Sequence, residues 1–259
     1  MDKDINYAEP KLSENIDTYN QLAELVSDFN SNFSLTPVIG AELEFYLSPE
    51  VSIEKLEKAI GMKIKAERGA NQYEIDLDPT SNLVKIAKDI DNIRKKITKS
   101  AKKLKGMADF LPKPFPNDFG SSLHIHINFL EDDDIEKYAN ILCSYTHKYL
   151  NYFFHKTSDL SRLDDRFMAP TRICWGGNNR TVMIRIPDMA PRRLEHRLAG
   201  SNSDPAKVIF AILHSIKRGL TYPNQVKKYD KIYGNAFDSQ YELEKISEVY
   251  NSRYATNIS

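Results

Sequence analysis

The stretch Ser121–Phe129, SSLHIHINF, decides how this chain is read. Side chains alternate across a β-strand. Ser122, His124, His126 and Asn128 therefore share one face, and Leu123, Ile125, Ile127 and Phe129 share the other. The apolar face can pack on a core, while the opposite face presents two imidazoles and an amide to something polar. Three more segments split in the same way. In GAELEF, Glu42 and Glu44 stand opposite Ala41, Leu43 and Phe45. In QYEIDLD, Gln72, Glu74, Asp76 and Asp78 stand opposite Tyr73, Ile75 and Leu77. In RRLEHRL, Arg193, Glu195 and Arg197 stand opposite Leu194, His196 and Leu198. Taken singly, each reads as an antiparallel strand with one wet face. If all four polar faces line one concave surface, their carboxylates crowd one another and need counter-charge.

Divalent cations meet that need most simply. Carboxylates with one or two imidazoles favour Mg2+ or Mn2+ over zinc, and several carboxylates suffice for two ions about 4–6 Å apart. Arg162, Arg180, Arg185, Arg193 and Arg197 come from the same region and suit an anionic ligand, because a guanidinium pairs with phosphate or carboxylate through two hydrogen bonds. Metals and arginines around a phosphate are the parts of phosphoryl transfer. No GxxxxGK[ST] stretch is present, which argues against a P-loop.

Around these strands the periodicity gives helices. Ile16–Phe29 is amphipathic, with Leu22, Leu25, Val26 and Phe29 on one side, and the first dozen residues read as a loose tail. VSIEKLEKAIG is a short helix and MKIKAE a strand. SNLVKIAKDIDNIRKKITKSAKKL is a long helix whose lysines form a solvated face. DIEKYANILCSYTHKYLNYFF reads as a second long helix, and DPAKVIFAILHSIKRGL as a third, started by Asp204 and Pro205. Between them SDLSRLDDRFMAPTRICWGGNN has no periodicity, which marks a lid or a binding loop. Mixed strands and helices in this order imply an α/β or α+β domain with helices on one side of a curved sheet.

Bulk composition narrows the classes. The chain has 259 residues with Lys+Arg and Asp+Glu both at 36, so its formal net charge is zero. A neutral chain argues against general binding to nucleic acid or anionic membranes. No apolar run approaches the roughly 18–20 residues of a membrane span, and MDKDINYAEPKLSEN lacks the apolar stretch of a signal peptide. Cys143 and Cys174 form no motif, and a cytoplasmic, reduced protein is the simplest expectation.

At these residues the sequence resembles the catalytic domain of the glutamine synthetase family. GAELEF resembles its G-x-E-x-E-F strand, and ERGANQYEID its E-x-G-x-G-Q-x-E segment, with Asn71 for a glycine. FLPKPFPNDFGSSLHIHINF resembles F-M-P-K-P…N-G-S-G-x-H-x-H. NRTVMIRIP and RRLEHRLAGSNSDPAKVIFAIL resemble N-R-x-x-x-I-R-I-P and R-R-I-E-x-R…A-N-P. The matches run in family order from about Gly40 to Leu220. The resemblance implies an α+β fold: a curved antiparallel sheet, a half-barrel, with helices on its outer face. It divides the chain into a tail and helix over 1–35 and a catalytic-like domain over 36–259. It implies one metal held by Glu44, Glu67 and Glu74, and a second held by Glu42, His124 and Glu195. His126, Arg180, Arg185 and Arg193 fall at nucleotide- or phosphate-binding positions, with Arg180 and Arg185 in catalytic roles. Gly120, Arg162 and Arg197 fall at substrate-binding positions. The implied chemistry is ATP-dependent ligation of a carboxylate to an amine through an acyl phosphate, in nitrogen metabolism.

Three departures stand out. Met168, in DDRFMAP, replaces the flap glutamate that helps deprotonate the incoming ammonium, and a thioether cannot accept that proton. Phe119, in FGSS, replaces an asparagine that binds the substrate amino acid. The residues before Gly40 read as one helix and a tail where the family has a small β-domain. Metal and phosphate positions are thus kept while amino-acid and ammonium positions are altered. Two readings stay open: a ligase for a different acid or amine, and a catalytically impaired metal- and nucleotide-binding homologue acting as a regulatory or interaction module. Expected partners are ATP and a small amino acid or amine, with a homo-oligomer or association with a full-length relative.

Overall fold

The computed structural model describes residues 17–154 and 156–254; the expected N-terminal tail lies outside the described residues. In chain order the strands are β1 (Pro37–Leu47), β2 (Lys65–Ala66), β3 (Gln72–Thr80), β4 (Ala108–Asp109), β5 (Leu123–Phe129), β6 (Trp175–Gly176), β7 (Ile184–Arg185), β8 (Leu194–His196) and β9 (Lys231–Ile232). The helices are α1 (Thr18–Phe33), α2 (Ile53–Ile60), α3 (Leu83–Lys103), α4 (Ile135–Tyr145), α5 (Leu150–Phe153), α6 (Pro205–Thr221) and α7 (Ile246–Tyr254).

The strands form one open sheet in the order β2-β3-β1-β5-β8-β7-β6-β9, with β4 added beside β1. From β2 to β7 every neighbour is antiparallel, whereas β6 runs parallel to both β7 and β9. Alternation sends Ile39, Leu43, Phe45, Ile75, Leu123, Ile125, Ile127 and Leu194 to the side where the helices lie, and all eight are fully buried. The helices bring matching stripes: Leu22, Leu25 and Phe29 from α1, Ile86, Ile90 and Ile97 from α3, Ile209, Leu213 and Ile216 from α6. These side chains form one core, so α1 packs with the sheet rather than apart from it. Their burial is the main stabilising term, at about 25 cal/mol per Å2 of apolar surface.

Helix ends obey local chemistry. Asp204 accepts from the backbone N–H groups of Ala206 and Lys207 at 3.0 and 3.2 Å, and Pro205 opens α6. Gly61, at φ +72°, ends α2. Two expectations need correction. The segment Asp134–Phe154 is not one long helix: α4 stops at Tyr145, a 3-10 turn covers Thr146–Lys148, and α5 follows. Thr146 Oγ1 donates to the Leu142 carbonyl at 2.7 Å, a local bond of the kind that bends helices. MKIKAE pairs as a strand only at Lys65–Ala66.

Candidate active site

Register gathers the polar faces. Glu44 lies opposite Glu74, and Glu42 is flanked by Asp76 on β3 and His124 on β5. His126 lies opposite Glu195, which lies opposite Arg185. Directly opposed side chains are about 5 Å apart, so the polar faces of four strands become one surface. Ligand atoms of Glu42, Glu74 and His124 lie within 4.8 Å of one another, as do those of Glu42, His126 and Glu195. Glu44 and Glu67 line the same cavity as Glu42, Glu74 and His124. Glu42 belongs to both groups.

Crowding sets the electrostatics. Burial raises the Glu74 carboxyl, and Glu42, Glu44, Glu67 and Asp76 raise it further. Burial likewise raises Glu44, whose carboxylate accepts the Ser122 backbone N–H at 2.7 Å. Burial works against the charge on Glu42 too, but the imidazoles of His124 and His126, both 3.1 Å away, hold it well below the carboxylate range. Glu195, 1% exposed, is held down against burial by His124, Arg197 and Arg185. Lys65 supplies a counter-charge at the rim, 3.8 Å from Glu74 and paired with Asp76. Hard oxygen donors with one or two imidazoles fit Mg2+ or Mn2+.

The arginines take different places. Arg180 and Arg197 line the cavity beside the carboxylates. Arg197 Nε lies 3.0 Å from Glu195, and its Nη1 donates to the Arg180 carbonyl. Arg185 pairs with Glu195 and donates from Nε to Asn178 at 3.1 Å. Arg193 donates to His126 Nδ1 at 2.6 Å, so His126 sits between Arg193 and Glu42. Arg162, only 2% exposed, donates to the Arg197 and Leu198 carbonyls at 2.7 and 2.6 Å and to Ser122 Oγ at 3.1 Å. Its Nε is buried without a partner, at the wall of the cavity. Gly120 permits this: a Cβ there would lie 2.5 Å from Arg162 Cγ and 2.8 Å from the Pro112 carbonyl.

Phe119 and Met168 also face the cavity. Met168 adopts φ +59° at the end of a 3-10 turn over Asp165–Phe167. Sequence reasoning missed Phe167, which lines the cavity and meets Phe119 edge to face with centroids 5.3 Å apart. It also missed Lys113, whose ammonium sits 3.8 Å over the Phe167 ring and 3.6 Å from Asp164. The signal for Phe167 was an apolar pair, FM, inside a long aperiodic loop.

Residues 56–255 match the family model described as "Glutamine synthetase, catalytic domain". The chain belongs to the glutamine synthetase family. Among curated members of the glutamine synthetase family, gamma-glutamylputrescine synthetase of Escherichia coli (strain K12) is 29% identical over 191 residues, covering 68% of this chain and 40% of its own length. Type-1 glutamine synthetase 2 of Dictyostelium discoideum is 31% identical over 163 residues, covering 56% and 31%. The chain therefore spans less than half the length of either relative. The solved structure of a GmaS/ADP complex superposes with a TM-score of 0.72 at 18% identity, covering 88% of this chain and 64% of that one. This likeness shows a shared fold over most of the chain.

Proposed function

We propose that the protein is an ATP- and divalent-metal-dependent carboxylate–amine ligase of the glutamine synthetase family with altered specificity. The observation that supports this reading most is the meeting of Glu42, Glu44, Glu67, Glu74 and His124 in one cavity with Arg180 and Arg197. Glu44, Glu67 and Glu74 would hold one Mg2+ or Mn2+, and Glu42, His124 and Glu195 a second. Bound ions would neutralise phosphate oxygens and draw the two reactants together. Arg180 and Arg185 would stabilise charge on the transferring phosphoryl group, with Arg193 and His126 beside the nucleotide phosphates. Arg162 Nε and Arg197 would orient the acid substrate at Gly120, where no side chain intervenes.

In the proposed reaction the γ-phosphoryl group passes from ATP to a substrate carboxylate oxygen, leaving ADP and an acyl phosphate. The amine's lone pair attacks the acyl carbon, the C–O bond to phosphate breaks, and the nitrogen gives up a proton. The acyl phosphate is needed because a bare carboxylate resists attack at neutral pH. Met168 offers no oxygen to take a proton from ammonium, so ordinary glutamine synthesis is expected to be weak. A relative whose name specifies putrescine supports a change of amine within the family. The test is ADP release from ATP and Mg2+ with glutamate and a panel of amines. Turnover with an organic amine above that with ammonium is expected; ATP turnover in none of the mixtures would contradict the ligase reading.

A further inference from the structure

The cavity is lined by two chemically unlike sets of residues. One set is the carboxylates and arginines. The other is an apolar wall of Phe119, Phe167, Met168 and Ala169, in which the two rings touch. This apolar wall is built from two separate loops and pinned in place. The Phe119 carbonyl accepts from Tyr46 OH at 2.8 Å, and its N–H donates to Asp118 at 2.8 Å. Lys113 holds the other side, donating to the Asp118 carbonyl at 2.5 Å while its ammonium covers Phe167. The ring pair is therefore organised before any ligand arrives, which reduces the ordering that binding requires.

A bare ammonium ion has no hydrocarbon to bury against two phenyl rings and a thioether. A primary amine with an apolar body does: its nitrogen can stay beside the carboxylates while its hydrocarbon part leaves water against the rings. We infer that this apolar wall selects an amine carrying a phenyl or comparably apolar group, with Phe119, Phe167 and Met168 as the specificity-determining residues. This inference rests on the ligase reading above for its chemistry. The cavity is small, about 60 Å3, so the ligand enters by displacing the unbranched Met168 side chain, the most adaptable part of the wall. Each buried methylene improves affinity about fourfold, and offset or edge-on ring contacts add to that.

Calorimetry on the full chain with Mg2+ and a non-hydrolysable ATP analogue tests this directly, comparing benzylamine with methylamine. Benzylamine is expected to bind at least about tenfold more tightly. F119N and M168E are each expected to reduce that ratio severalfold; Met168 lies on a loop, so M168E remains informative if F119N does not fold. Equal affinity for the two amines, or a ratio unchanged in M168E, would overturn the inference. ADP release with glutamate and benzylamine is read separately. Selective binding without turnover refutes the ligase reading alone, whereas turnover that favours ammonium over benzylamine refutes the specificity and leaves the ligase reading standing.

Discussion

The residue whose environment the sequence conceals most is Arg162. Its number places it in an aperiodic loop, yet it is among the largest fully buried side chains described. Its partners are carbonyls of Arg197 and Leu198, distant in sequence, and no local pattern encodes such a contact. By contrast, the faces of Glu42, Glu44, Glu74, His124 and Glu195 were legible, because strand alternation fixes facing without knowledge of the partner strand. Register then decided what meets what. That is why Glu42 came to stand between His124 and His126, a placement no single strand reveals. Gly120 gives a residue-scale prediction. A methyl group there collides with Arg162 Cγ and the Pro112 carbonyl. Gly120→Ala should therefore cost about 1–3 kcal/mol, the usual range for overpacking, in urea unfolding. Unchanged stability would show that the loop yields freely.

At the scale of elements, long periodic segments were readable and short ones were not. α3 and α6 follow their apolar stripes and caps closely. The sheet's far side was harder: β6, β7 and β9 span two residues each, too few for period-2 alternation to register. The break after α4 was hidden because Thr146 and the aromatic residues after it keep an apolar rhythm while their backbone turns. Helix α6 carries a pH dependence of its own. His214 stacks on Phe210 with centroids 5.1 Å apart and meets Tyr149 OH at 2.7 Å. Burial, with help from Lys217 and Arg218, lowers its pKa from 6.5 to about 4. His147 is lowered to about 4 by burial and by Arg253 and Lys148. A histidine kept neutral in the fold takes up a proton on unfolding, so the unfolded state binds more protons between about pH 6.5 and 4. Stability should therefore fall as pH drops through that window, by roughly 3–4 kcal/mol for His214 at about 1.4 kcal/mol per pKa unit. His214→Gln should flatten the slope of unfolding free energy measured from pH 7 to 4.5; an identical slope in the variant would contradict the assignment.

On the scale of the whole molecule, the fold divides labour between two faces of one sheet. The helix-covered face contributes the core. The opposite face concentrates carboxylates that repel one another, a destabilising arrangement unless a cation joins them. No helix among the described residues is long and apolar enough to cross a membrane. The neutral overall charge leaves the local acidic cluster, rather than any net field, to attract cations. The most direct measurement is titration of the metal-free protein with Mn2+ by calorimetry, alongside Glu42→Gln. The account predicts uptake of two ions per chain, with weakened binding in the variant. No uptake at millimolar Mn2+, or uptake unaltered by the loss of Glu42's charge, would contradict it.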